Sequence, residues 1–111
     1  MIVELKPPIT QRISASSEQI AEFCHRWKIT EFALFGSVLR DDFRPDSDID
    51  VLLTFAPERW LTWDDWQTMQ AEIETLFHRN VDLVSKKYLK NPYRRHEILK
   101  TCQVIYATEQ S

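Results

Sequence analysis

Glycine is almost missing from this chain: among 111 residues there is one, Gly36. The flexible Gly/Ser-rich stretches that join domains are therefore missing too, and a single folded unit is expected. No internal repeat or low-complexity tract breaks the sequence. Long apolar runs are also lacking, since none approaches the roughly 20 residues needed to cross a bilayer as a helix. Met1 to Pro8 has no apolar signal-peptide core, so a cytoplasmic protein without a membrane partner is expected. Cysteine is scarce, and Cys24 and Cys102 are far apart with no metal-type spacing; they read as reduced thiols of a cytosolic protein. Basic charge is not in surplus. Fourteen Lys and Arg face 17 Asp and Glu, for a net charge of -3, whereas a domain that grips a nucleic-acid backbone usually carries excess positive charge. Direct nucleic-acid binding is not expected.

What is present suffices for a packed core, with 43% hydrophobic and 28% charged residues, so disorder is not expected. Ser17 to Trp27 reads as an amphipathic helix. Ser16 or Ser17 caps it, and Ile20, Phe23, Cys24 and Trp27 fall at i, i+3, i+4 and i+7, which gives Cys24 a core role. Glu31 to Phe35 is a short buried strand stopped by Gly36, followed by a helical turn over Ser37 to Asp42 and a Pro45-containing loop over Phe43 to Ser47. Asp48 to Phe55 alternates as a strand, with Ile49, Val51 and Leu53 on one face and Asp48, Asp50 and Leu52 on the other. Thr62 to His78 is the longest helix, capped by Thr62, with Asp64 and Asp65 in its first turn and Trp66, Met69 or Gln70, Ile73, Leu76 and Phe77 along its apolar face. Val81 to Ser85 is a strand with Asp82 and Val84 on one face. A helix from about Tyr93 to Thr101 follows Pro92, and Gln103 to Ala107 is a last strand. This order predicts an α+β domain with a mixed sheet of about four strands packed with helices. An N-terminal segment spans 1–15, the domain 16–107 and a tail 108–111.

Three features converge on one chemistry. The lone glycine, with Ser37, follows a strand and opens a helical turn, where outward amides and the helix dipole favour a phosphate. An ordinary strand-to-helix turn would look the same when taken alone. Asp48 and Asp50 are two apart on a strand, so they project to one side about 6–7 Å apart. Paired carboxylates suit hard cations such as Mg²⁺, and two-metal sites hold ions about 3.5–4 Å apart. The competing reading, two solvated aspartates on an edge strand, fits poorly with a strand otherwise so apolar. Asp82 sits on a second strand among Val81, Leu83 and Val84. If the two strands are neighbours in register, it joins Asp48 and Asp50 as a third metal ligand or a general base. Three close carboxylates repel unless a divalent cation lies between them, so the cluster itself implies metal. Nucleotidyl transfer requires positioned phosphates, neutralised charge and an in-line nucleophile, and this set can supply them.

Gly36-Ser37, ten intervening residues and Asp48-Ile49-Asp50 resemble the signature of the DNA-polymerase-beta-like nucleotidyltransferases, with Asp82 matching the separate third carboxylate of that superfamily. The stretches from Phe35 to Arg40 and from Ser47 to Leu52 are most similar to the minimal nucleotidyltransferases of the MntA type. The resemblance extends from Ser16 to Ala107. It implies an antitoxin that neutralises a HEPN-domain ribonuclease toxin, its protein partner, by transferring AMP from ATP to a tyrosine. By the same resemblance Gly36 and Ser37 hold the phosphates. Asp48, Asp50 and Asp82 are catalytic and bind Mg²⁺, two ions being expected, and Asp82 activates the tyrosine. Many minimal members have an arginine soon after the Gly-Ser pair. Here Val38 and Leu39 follow, and the pattern assigns no phosphate role to Arg40.

Other residues carry plainer expectations. Trp60, Trp63 and Trp66 are read first as core, although spacing of three cannot bury all of them on one stripe and one or two could face a partner. Lys86, Lys87, Lys90, Arg94, Arg95 and His96 read first as solvated surface, with contact to nucleotide or to an RNA-binding partner as the alternative, and His25, His78 and His96 share no motif. Two other functions compete with a protein adenylyltransferase: a small-molecule nucleotidyltransferase acting on an antibiotic, and an antitoxin that acts by binding alone.

Overall fold

Each element begins and ends for a local reason. In the computed structural model, which describes residues 12–40, 44, 47–57 and 61–108, helix α1 spans Ser17–Trp27. Ser16 caps it: the Ser16 hydroxyl accepts from the Gln19 amide at 3.2 Å, and the Gln19 side chain accepts from the Ser16 amide at 2.9 Å, a reciprocal capping box. Ile20, Phe23, Cys24 and Trp27 are buried, as the spacing predicts. With glycine unavailable, the left-handed residue that ends α1 is Lys28 (φ 57°), and His78 (φ 59°) does the same for α2, Trp63–Phe77. Thr62 and Asp65 form the capping box of α2 at 3.0 and 3.1 Å.

Strand β1, Ile29–Phe35, follows α1 directly and starts two residues before the expected Glu31. Lys28 alone makes the turn, so no turn-forming residue marks the junction. A register shift between Ile29 and Glu31 lets Ile29 share a face with Phe32 and Leu34. A four-residue 3-10 turn, Gly36–Leu39, comes next; the expected helical turn continued to Asp42, and residues 41–43 and 45–46 lie outside the described set. Strand β2 is Ile49–Phe55, so Asp48 sits in the loop just before it. Strand β3 is Val81–Ser85, followed by a short 3-10 turn, Lys86–Tyr88, that the sequence pattern missed. Helix α3, Pro92–Thr101, is capped by the Asn91 side chain, which accepts from the Tyr93 and Arg94 amides. Strand β4, Gln103–Ala107, closes the fold.

The sheet order is β3-β2-β1-β4, antiparallel except for the β2–β3 pair, which is parallel. Parallel neighbours need a crossover connection, and α2 supplies it. On one face α1 and α2 pack over Phe32, Leu34, Val51, Leu53 and Leu83. On the other, α3 contributes Ile98 to a smaller cluster with Ala33, Phe35, Leu52 and Leu89. Ile13 and Ala15 of the N-terminal segment also enter the larger core.

Phe32 is the hub of that core, meeting Phe23 edge-on at 6.4 Å and Phe77 at 6.2 Å between ring centroids. Truncating a buried phenylalanine removes its contacts and leaves a cavity. Phe32→Ala is expected to cost about 3–5 kcal/mol, read as a lower midpoint in urea denaturation.

Candidate active site

The sheet register decides which side chains meet. Phe35 of β1 pairs with Asp50 of β2, and Asp50 pairs in turn with Asp82 of β3. These three residues form one row across neighbouring strands, which lie about 4.8 Å apart. By alternation the row points to the α3 side, with Leu52 and Val84 on that side two positions further along. Gly36 follows Phe35 at the end of the row. Asp48 lies two residues before Asp50 and is exposed, as is Asp82, whereas Asp50 is half-buried.

Asp50 is the electrostatic focus. Burial raises its carboxyl above the ordinary range, and the nearby Asp82 and Asp48 carboxylates raise it further; Arg94 and Arg40 pull it partly back. The charges of Asp48 and Asp82 thus both reach Asp50, although among the described residues no three His, Cys, Asp or Glu side chains form a metal-holding cluster. Gly36 fits this centre for two reasons. Its φ is +76°, and a Cβ built there would lie 2.2 Å from Asp50 Oδ2. The turn can thus approach the carboxylate only as glycine. The Ser37 hydroxyl donates to the Asp48 carbonyl at 3.5 Å, tying the turn to the acidic loop.

Several side chains hold this edge in place, and sequence reasoning missed them. The Arg12 guanidinium donates to the carbonyls of Val38 (2.7 Å) and Arg40 (2.8 Å), clamping the end of the glycine turn. Arg79 donates to the carbonyls of Arg44 (3.2 Å) and Ser47 (3.0 Å), fixing the loop before Asp48. Glu74 and Gln70 of α2 bond the backbone amide and carbonyl of Val81, next to Asp82. Arg40 and Arg94, read from sequence as an unassigned residue and as solvated surface, both act on Asp50. No local motif could have marked them, because their proximity is tertiary. Arg95 anchors the Lys86–Tyr88 turn through the Lys86 and Leu89 carbonyls.

The remaining expectations divide. Cys24 is buried, and burial pushes its thiol well up; Cys102 is raised by partial burial and by Glu31, so neither is poised as a thiolate. The three histidines are exposed. Trp66 packs against Phe55 at 6.4 Å, but Trp63 is 74% exposed, so core packing does not account for it. Trp60 lies outside the described residues.

A family model described as a nucleotidyltransferase domain matches residues 16–105. The chain belongs to this nucleotidyltransferase family. It is a nucleotidyltransferase, then, and the Asp50–Asp82 row lies on the sheet of that domain. A relative from Thermococcus cleftensis, named protein adenylyltransferase MntA, is 33% identical over 70 residues, 63% of this chain and 69% of the relative. Among solved structures, a toxin–antitoxin complex with AMP-PNP contains a chain that superposes with a TM-score of 0.67 at 18% identity, over 84% of this chain and 74% of that one. A complex of tri-AMPylated Shewanella oneidensis HEPN toxin with MNT antitoxin matches with a TM-score of 0.59 at 17% identity, over 82% and 69%. These structural likenesses establish the minimal nucleotidyltransferase fold: a single α+β domain with a four-stranded mixed sheet.

Two outcomes follow from the site. Gly36→Ala places a methyl group against Asp50 in a left-handed conformation, and is expected to destabilise by more than about 1 kcal/mol, read by chemical denaturation. Asp50→Asn should do the opposite. A carboxyl with a raised native-state pKa favours folding while protonated, and that contribution is lost as pH rises through the raised value. At about pH 7 the ionised Asp50 therefore opposes folding of the metal-free protein. Melting curves should place Asp50→Asn above wild type there, with the gap closing toward about pH 4.

Proposed function

We propose that this chain is a Mg²⁺-dependent protein adenylyltransferase and an antitoxin of the bacterial cytoplasm. It would move AMP from ATP to a tyrosine of a HEPN ribonuclease toxin through the site formed by residues 36, 37, 48, 50 and 82 within a domain spanning 16–107. The observation that carries this reading is the contact of the lone glycine turn with Asp50, beside Asp82. A turn suited to phosphate abuts paired carboxylates, as nucleotidyl transfer requires. The named functions of the relatives and of the complexes support the acceptor class.

The donor set fits magnesium. Asp48, Asp50 and Asp82 offer only hard oxygen ligands, and the mutual repulsion that raises Asp50 is the kind a divalent cation relieves. When bound, Mg²⁺ neutralises charge on the phosphates and the reacting centre. The protein's own residues do the rest. Amides of the Gly36–Ser37 turn receive the phosphates. Asp82, at the open edge strand, accepts the proton of the incoming tyrosine hydroxyl. The tyrosine oxygen bonds to the α-phosphorus of ATP, the bond from that phosphorus to the bridging oxygen breaks, and pyrophosphate leaves with the electron pair.

Mixing the protein with the HEPN toxin, ATP and Mg²⁺ should add AMP increments to the toxin by mass spectrometry. Chelation with EDTA should abolish them. Removing a carboxylate that anchors metal forfeits several kcal/mol of charge stabilisation, so Asp48→Ala and Asp50→Ala should each slow transfer by about 10²-fold or more. Toxin inhibition that persists undiminished in both variants would instead mark an antitoxin that acts by binding alone.

A further inference from the structure

Beyond the carboxylates, toward the far ends of β2 and β3, lies a groove of about 750 Å³. Its walls come from the start of α2, the Lys86–Tyr88 turn and the first turn of α3, and include Trp63, Trp66, Tyr88, Leu89, Lys87 and Arg94. The volume falls within the roughly 300–1,000 Å³ of small-ligand and cofactor sites, which are mostly apolar and aromatic with a few placed polar groups. A stable protein interface would instead need a broad patch of about 800 Å² on each partner. Among the described residues, the groove is lined by two cations and no carboxylate, in a chain whose net charge is negative. Trp63 and Tyr88 are 74% and 69% exposed, unusual for side chains of this size. The groove thus suits an occupant that is flat, apolar on its faces and anionic at one end.

The groove lies next to the candidate site along β3. Val84 forms part of its wall and lies two positions after Asp82 on the same face, about 6–7 Å along the strand. Arg94 stands at the junction, lining the groove while its charge acts on Asp50. Lys87 lies 5.7 Å from the Tyr88 ring centroid, so this cation is held on an aromatic wall.

We propose that this groove is the nucleoside subsite of the donor: the purine base stacks on the wall formed by Trp63, Trp66 and Tyr88, and Arg94 holds a phosphate where the groove meets the carboxylates. This rests on the reading of the chain as a nucleotide-using transferase. It adds residues that no motif marks, on an aromatic surface that core packing leaves open. A stacked base contributes enough that losing one aromatic partner weakens binding by roughly tenfold.

The test is calorimetric titration of the full chain with Mg²⁺ and AMP-PNP, and separately with Mg²⁺ and tripolyphosphate, which has no base. Trp63→Ala and Tyr88→Ala alter exposed residues, and their folding is to be checked by circular dichroism. Each is expected to bind AMP-PNP roughly tenfold more weakly than wild type and tripolyphosphate equally well, whereas Arg94→Gln weakens both. If both aromatic variants bind AMP-PNP like wild type, the subsite is refuted. It is equally refuted if they keep nucleotide affinity but show a higher KM for the HEPN toxin, which would make the groove a protein-docking surface. Wild-type protein that binds neither ligand would overturn the proposed function itself.

Discussion

Two aspartates on neighbouring strands repel each other, and much of the architecture serves to keep Asp50 and Asp82 side by side regardless. Their pairing is written into the parallel β2–β3 register, and a parallel pair exists only because α2 carries the chain back across the sheet. The same helix holds the first residue of β3 through Glu74 and Gln70, while the Asn80 carbonyl takes the Ile49 amide at 3.0 Å and locks the starts of both strands together. Arg79 then fixes the loop that delivers Asp48. The acidic row is a local liability secured by the hydrogen bonds around it.

Glycine is used at the one place where no other residue serves. Helices α1 and α2 end on left-handed residues, a role that glycine commonly fills, yet Lys28 and His78 fill it here. Those two positions accommodate a side chain. Gly36 cannot, since Asp50 already occupies the space a Cβ would need.

Much of this organisation was legible in the residues. The core faces of α1 and α2, the alternation of β2 and β3, and the side of the sheet that Asp50 and Asp82 share follow from helical and strand periodicity. The start of β1 was obscured because Lys28 turns the chain without a turn-forming residue. The Lys86–Tyr88 turn was lost within a basic stretch that looked like plain surface. The arginines were the larger gap. Arg12, Arg40, Arg79 and Arg94 are scattered along the chain, and only the folded sheet brings them to one edge. Periodicity reports which way a side chain points from its own element, not which distant carbonyl or carboxylate it will face. The Trp63 side chain illustrates a different limit, because an amphipathic stripe says little about the first turn of a helix, where the surface curves away from the core.

The crossover that makes β2 and β3 parallel ties competence to folding. A chain in which α2 has not yet docked holds Asp48 and Asp50 on one piece and Asp82 on another, with no ladder to align them. Contacts so distant in sequence form only after loop closure has been overcome. On the proposed reading of these carboxylates, a nascent or partly denatured molecule would be chemically silent, and only molecules that have completed the sheet could begin the reaction.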